Sequence, residues 1–151
     1  MSRPLCAALL AALTACPRAS GTGERVPDVA APAPELYAEG PSDFSGDWVG
    51  ESAGVFGKLQ IERLAADRYY ARFTSEDKLI RFVCNLKQMA VAPTGGGSPM
   101  PANLALFSWQ DGRGGRGEGW VLINRDRTAL SGEIRQGGLA AWDFVRADVR
   151  E

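Results

Sequence analysis

From Phe44 onward, turn chemistry cuts the chain into eight short pieces, and no stretch carries the pattern of a long amphipathic helix. The pieces read as strands at Phe44–Ser52, Val55–Leu64, Arg68–Ser75, Leu79–Met89, Asn103–Gln110, Gly119–Asn124, Ala129–Gln136 and Leu139–Ala147. Between them stand Ala65-Ala66-Asp67, Ser75-Glu76-Asp77-Lys78, Asn124-Arg125-Asp126-Arg127 and Gln136-Gly137-Gly138, residue types that favour tight turns. The third piece alternates Tyr69, Ala71 and Phe73 with Tyr70, Arg72 and Thr74, the period of a half-buried strand. Tight turns predict antiparallel neighbours, and without crossover helices a parallel sheet is excluded. An all-β domain must also hide its sheet edges, which closure into a barrel removes. The expected fold is therefore all-β: a small antiparallel eight-stranded meander barrel over residues 44–151. A two-sheet β-sandwich is the alternative.

Composition excludes several functions. The chain has 151 residues, 45% hydrophobic and 23% charged, ordinary values for one globular domain. Its 17 basic and 18 acidic side chains nearly cancel, so no electrostatic footprint for nucleic acid is present. Histidine is absent, which removes the commonest general base and metal ligand. The carboxylates Asp47, Glu51, Glu62, Glu118, Glu133 and Asp143 are scattered along strands, with no sign of a facing pair. No phosphate-binding loop, dinucleotide fingerprint or nucleophile elbow occurs. No catalytic residue, metal or cofactor is expected, and the chain does not read as an enzyme. Asp111-Gly112-Arg113-Gly114-Gly115-Arg116-Gly117-Glu118 reads as a hairpin loop, with Arg113 and Arg116 available to an anion or acidic partner.

The N-terminus reads as an address. Arg3 gives a basic start, and Leu5–Leu13 is an apolar run too short to cross a bilayer. Leu13-Thr14-Ala15-Cys16 follows and resembles the bacterial lipobox. That resemblance implies a lipoprotein signal peptide at 1–15, cleavage before Cys16, and acyl chains on Cys16. Two or three acyl chains hold a protein on a membrane stably. The implied location is the bacterial cell envelope, with the membrane as a partner through the lipid. Residues 16–43 would then be the lipidated Cys and a flexible linker, since 17–43 holds five of the nine prolines and no sustained period. After cleavage Cys84 is left without a disulfide partner, and its phase with Ile80, Phe82 and Leu86 reads as a buried apolar position.

The domain opens on Gly46-Asp47-Trp48, which is similar to the G-x-W of lipocalin-like, avidin-like and other calycin-type barrels. The resemblance implies that Trp48 packs across the barrel's closed end with Gly46 beside it. It further implies that an Arg of the last strand, here Arg146, lies over the indole. Such barrels often hold a small apolar molecule, and Tyr69, Phe82, Trp109 and Trp120 are the candidate lining residues. Two functions stay open at this point: a lipid-anchored binder of a small apolar ligand, or an envelope protein–protein module of the protease-inhibitor or assembly-accessory kind. A large aromatic-lined cavity would favour the first; a filled barrel with exposed apolar surface would favour the second.

Overall fold

A computed structural model describes residues 29–149. The signal segment 1–15, Cys16 and residues 17–28 lie outside the described residues. Among these residues eight strands run in chain order: β1 Gly46–Ser52, β2 Val55–Ala65, β3 Arg68–Ser75, β4 Arg81–Val91, β5 Met100–Gln110, β6 Arg116–Ile123, β7 Ala129–Arg135 and β8 Leu139–Arg146. Each is antiparallel to the next, and β8 returns to pair with β1, closing the barrel. Both edges of the sheet are used in that seam, so the sandwich is not formed.

Four strand starts differ from the sequence expectation: the first strand begins at Gly46 instead of Phe44, and the other three differ each for a local reason. The fourth strand begins at Arg81 because Asp77 folds the preceding residues into a turn. Its carboxylate accepts the Ser75 hydroxyl at 2.5 Å and the Leu79 N–H at 3.0 Å. The fifth begins at Met100 despite Pro101, which pairs with Ala90 beyond a bulge at the strand's start, where a missing N–H is tolerated. The sixth begins at Arg116 because Asp111 closes the glycine-rich loop early, accepting the N–H groups of Arg113 and Gly115 at 2.8 and 2.9 Å.

An up-and-down barrel sorts its connections. The hairpins β1–β2, β3–β4, β5–β6 and β7–β8 lie at one end, here termed the turn end. The other three connections, the entry to β1 and the exit from β8 lie at the opposite end. Alternate residues fill the interior: Leu59 and Ile61 from β2, Ala71 and Phe73 from β3, Cys84 and Leu86 from β4, and Val121 and Ile123 from β6, all within one buried cluster.

The expected flexible linker does not extend to residue 43. Residues 29–43 form a strap that lies against the barrel. The Glu35 N–H donates to Asn103 Oδ1 at 2.6 Å, and the Asn103 N–H donates to the Glu35 carbonyl at 2.9 Å. The Tyr37 hydroxyl donates to the Ile123 carbonyl at 2.7 Å. Gln88 Nε2 donates to the carbonyls of Ser42 and Ala102, both at 2.7 Å. The strap needs no period of its own, because barrel side chains satisfy its extended backbone. It shields the end opposite the turns, which is therefore the strap end.

Candidate functional site

The strap end is built around Trp48. Its indole N–H donates to the Phe44 carbonyl at 3.1 Å. Arg146 faces it as the register partner in β8, with the guanidinium carbon 4.3 Å from the ring centroid. Arg146 Nη1 donates to the Ser45 carbonyl at 3.0 Å, and its Nε donates to the Arg127 carbonyl. Gly46 makes room: a Cβ there would collide with Arg146 Nη1, and its φ of +133° lies where side chains are disfavoured. Phe44, wholly buried, closes the floor edge-on to Tyr69, their centroids 5.7 Å apart.

Tyr69 belongs to this floor. Its hydroxyl donates to Gln88 Oε1 at 3.0 Å and accepts from Arg63 at 2.9 Å. Arg63 also pairs with Asp43 at 3.3 Å. Burial pushes the Asp43 carboxyl up, but hydrogen bonds from Ser45 and the Arg63 charge outweigh it and hold the group below its usual range. For Tyr69, burial and then the Asp43 charge push the phenol up against Arg63, so it stays protonated in ordinary conditions.

The lumen above this floor is filled by rings. Phe107, Trp142, Phe144, Phe73, Phe82 and Trp109 touch in that order, with successive centroids 4.5, 5.0, 6.1, 4.8 and 5.8 Å apart. The series begins and ends on β5, so it crosses the interior and returns to the same strand. Glycine backbone lies where the rings need space. The Phe107 ring covers Gly119, its register partner, and the Phe73 ring covers Gly57 on the adjoining strand. Trp109 also donates its indole N–H to the Arg135 carbonyl at 3.0 Å. The indole N–H of Trp142 and the hydroxyl of Ser52, its register partner, are buried without a protein partner.

The four lining candidates therefore do not converge. Tyr69 lies in the floor, Phe82 and Trp109 lie in the ring series, and Trp120 is not in the interior at all. Trp120 is on the outward face of β6 beside Leu106, and it borders a small space shared with Val29 and Ala30 of the strap. Leu104 and Leu106 are likewise outward in phase yet buried. The residues missed in the sequence are Gln88, Asn103 and Tyr37, which tie the strap down. Their available signal is polarity at strand positions in phase with apolar neighbours, Gln88 with Leu86 and Asn103 with Phe107.

Two open grooves border parts of the ring series, one reaching Phe144 and the other Phe73 and Phe82. A groove of about 640 Å³ runs between Val49, Phe56, Lys58, Asp143 and Val145. A second, of about 750 Å³, is bordered by Arg72, Phe73, Arg81, Phe82 and Asp111. Thr74 and Lys78 border both, so the β3–β4 hairpin is their shared wall. Burial pushes the Cys84 thiol far up, leaving it a packing group. Among the described residues no helix is long and apolar enough to cross a membrane, and no three of Asp, Glu and Cys gather as a metal site.

No protein-family model, curated protein or solved structure matches this chain.

Proposed function

We propose that this chain is a lipid-anchored protein of the bacterial cell envelope whose packed barrel acts through its outer surface, without chemistry of its own. Leu13-Thr14-Ala15-Cys16 supports the anchor. The observation that carries the surface reading is the ring series from Phe107 to Trp109, which occupies the volume where a lipocalin-like barrel would hold its ligand. The Gly46, Trp48 and Arg146 arrangement supports grouping the barrel with calycin-type folds, as a packed member of that class. In this reading the closed end and the rings form a stiff scaffold, and recognition falls to turns, grooves and strap.

A second reading keeps a small apolar ligand but moves it outside the lumen. The groove bordered by Val49, Phe56 and Val145 favours it, because its volume is within the range of small-molecule sites. Native mass spectrometry of protein taken from bacterial membranes tests both. The surface reading expects acyl mass on Cys16 and no further apolar molecule. A bound molecule lost on Trp109→Leu would put the ligand in the lumen and overturn it. A bound molecule lost on Phe56→Ser but kept on Trp109→Leu would replace it with the groove reading.

A further inference from the structure

The large exposed apolar side chains are unevenly placed. Phe56, Leu79, Ile80 and Leu139 are 60%, 73%, 40% and 66% exposed, and all four sit at the turn end, on three different hairpins. Only Leu64 and Val145 of the described exposed set lie elsewhere. These tips ring one end of the barrel, with Phe56 beside the β3–β4 hairpin, whose Glu76 N–H donates to the Phe56 carbonyl at 3.1 Å. Around them stand Lys78, Arg81, Arg113, Arg116 and Arg135, together with Glu51, the register partner of Phe56, and Glu76, Asp77 and Asp111. Asp77 and Asp111 accept backbone N–H groups of their own turns, and Asp77 stays exposed and charged. The rim thus presents apolar tips among long charged side chains of both signs, a composition that suits the boundary between acyl chains and zwitterionic headgroups.

The strap supplies the second observation. Val29, the first described residue, borders the same small space as Arg135 and Leu139, at the turn end of β7 and β8. The described chain therefore begins at this end. Residues 17–28 allow a reach of at most about 45 Å when fully extended, at roughly 3.3–3.6 Å per residue. An anchor at Cys16 then brings the turn end to the membrane without lifting the strap off the barrel.

We propose that the turn end rests on the surface of a phospholipid bilayer, with Leu79, Ile80, Leu139 and Phe56 at the headgroup boundary and the strap end facing away. This rests on the lipid anchor at Cys16. The arrangement leaves the Trp48 end and its turns exposed to the aqueous envelope.

The test uses the full processed protein, reconstituted in vesicles of phosphatidylcholine and phosphatidylglycerol. An environment-sensitive fluorophore is attached at Leu79→Cys, Leu139→Cys or Asp126→Cys, the last in the β6–β7 turn of the strap end. Cys84 is buried and stays unlabelled. Mass spectrometry of each preparation reads the acyl state of Cys16. The expected result is blue-shifted emission and quenching by headgroup-depth nitroxide lipid at positions 79 and 139, with neither at 126. An acylated protein whose three labels are equally wet overturns the orientation and leaves the anchor standing. Protection at 126 alone overturns it in favour of the opposite end. Labels wet in vesicles but shielded in native membranes overturn it in favour of a protein partner. A Cys16 free of acyl mass overturns the anchor and the orientation together.

Discussion

Arg146 lies across the indole of Trp48, and the two are register partners in the strands that close the barrel. The contact therefore joins the first strand to the last at the point where the sheet would otherwise have edges. Arg146 adds hydrogen bonds to the carbonyls of Ser45 and Arg127, so one side chain links the entry to β1, the β6–β7 turn and the seam. Trp48→Ala is expected to cost about 3–5 kcal/mol, the range for emptying a buried aromatic site. Arg146→Ala should cost about 1–2 kcal/mol through lost stacking and packing. The double variant should be less destabilised than the sum of the two. Denaturant melts of the four proteins check this; plain additivity would mean the contact carries no energy.

The strap is expected to be part of the folding unit. A chain beginning at Asp43 loses the Glu35–Asn103 pair and the Tyr37 contacts, and leaves Asn103 without its partners. The expected loss is about 1–3 kcal/mol, or roughly 5–15 °C in thermal midpoint. Gln88→Leu should lose a similar amount in the intact chain, because the Ser42 and Ala102 carbonyls and the Tyr69 hydroxyl all lose their partner. An unchanged midpoint on truncation would show that the strap rests on the barrel without stabilising it.

How much of this is legible follows from which signals are local. Alternation in Arg68–Ser75 and the turn residues between segments are local, and they give the strands and the closed barrel. The packed lumen is not legible, because it depends on register. Phe107 covers Gly119 and Trp142 faces Ser52 only once the strands are aligned across the sheet. The strap is hidden for a related reason. Its hydrogen-bond partners, Asn103 and Ile123, lie far along the chain, and proline-rich composition reports only that the segment has no structure of its own. Trp120 shows the limit of counting aromatics: its type suits a lining, and its parity puts it outside.

Acid should weaken one contact of the strap end selectively. The folded Asp43 carboxyl titrates below its unfolded value of about 4. A depressed carboxylate adds stability above the unfolded value, and that stability is lost as pH falls through the folded one. Asp43→Asn should therefore lower the midpoint at pH 7 and converge with the parent protein in strong acid. Asp43 and Arg63 are 42% and 43% exposed, so solvent screening keeps the difference below about 1 kcal/mol. Thermal melts across pH read it, and a gap that widened in acid would reverse the assigned sign.

Cys84 should be silent to thiol reagents until the barrel opens. It is wholly buried among β3, β4 and β5, facing Ala71 and Trp109 in register, and burial disfavours its thiolate. Labelling of the folded protein by a charged disulfide reagent is expected to follow global unfolding, with the same denaturant dependence as loss of tryptophan signal. Fast labelling in buffer would mean that the lumen admits solvent and that its rings are not close-packed.

The ring series makes a sharper demand on two glycines. A Cβ at Gly119 would collide with the Phe107 ring and with the Glu133 carbonyl, and the carbonyl belongs to backbone held by β6–β7 pairing. The side chain cannot be accommodated by moving the ring alone. Phe107 itself packs against Trp142 at 4.5 Å between centroids, so any displacement passes into the next ring. Gly119→Ala is therefore expected to cost about 1–3 kcal/mol, the range for overpacking a filled core. It should also shift tryptophan emission, since Trp142 must move with Phe107. At Gly138, in the β7–β8 turn, an added Cβ would meet nothing within 4 Å. Gly138→Ala should be neutral or gain about 0.4–1 kcal/mol by restricting the unfolded chain. Melts and emission spectra of the two variants, compared side by side, read out whether the lumen is full. Equal stability of both, with unchanged emission, would mean that space remains around Phe107, and the barrel would again have room for a ligand.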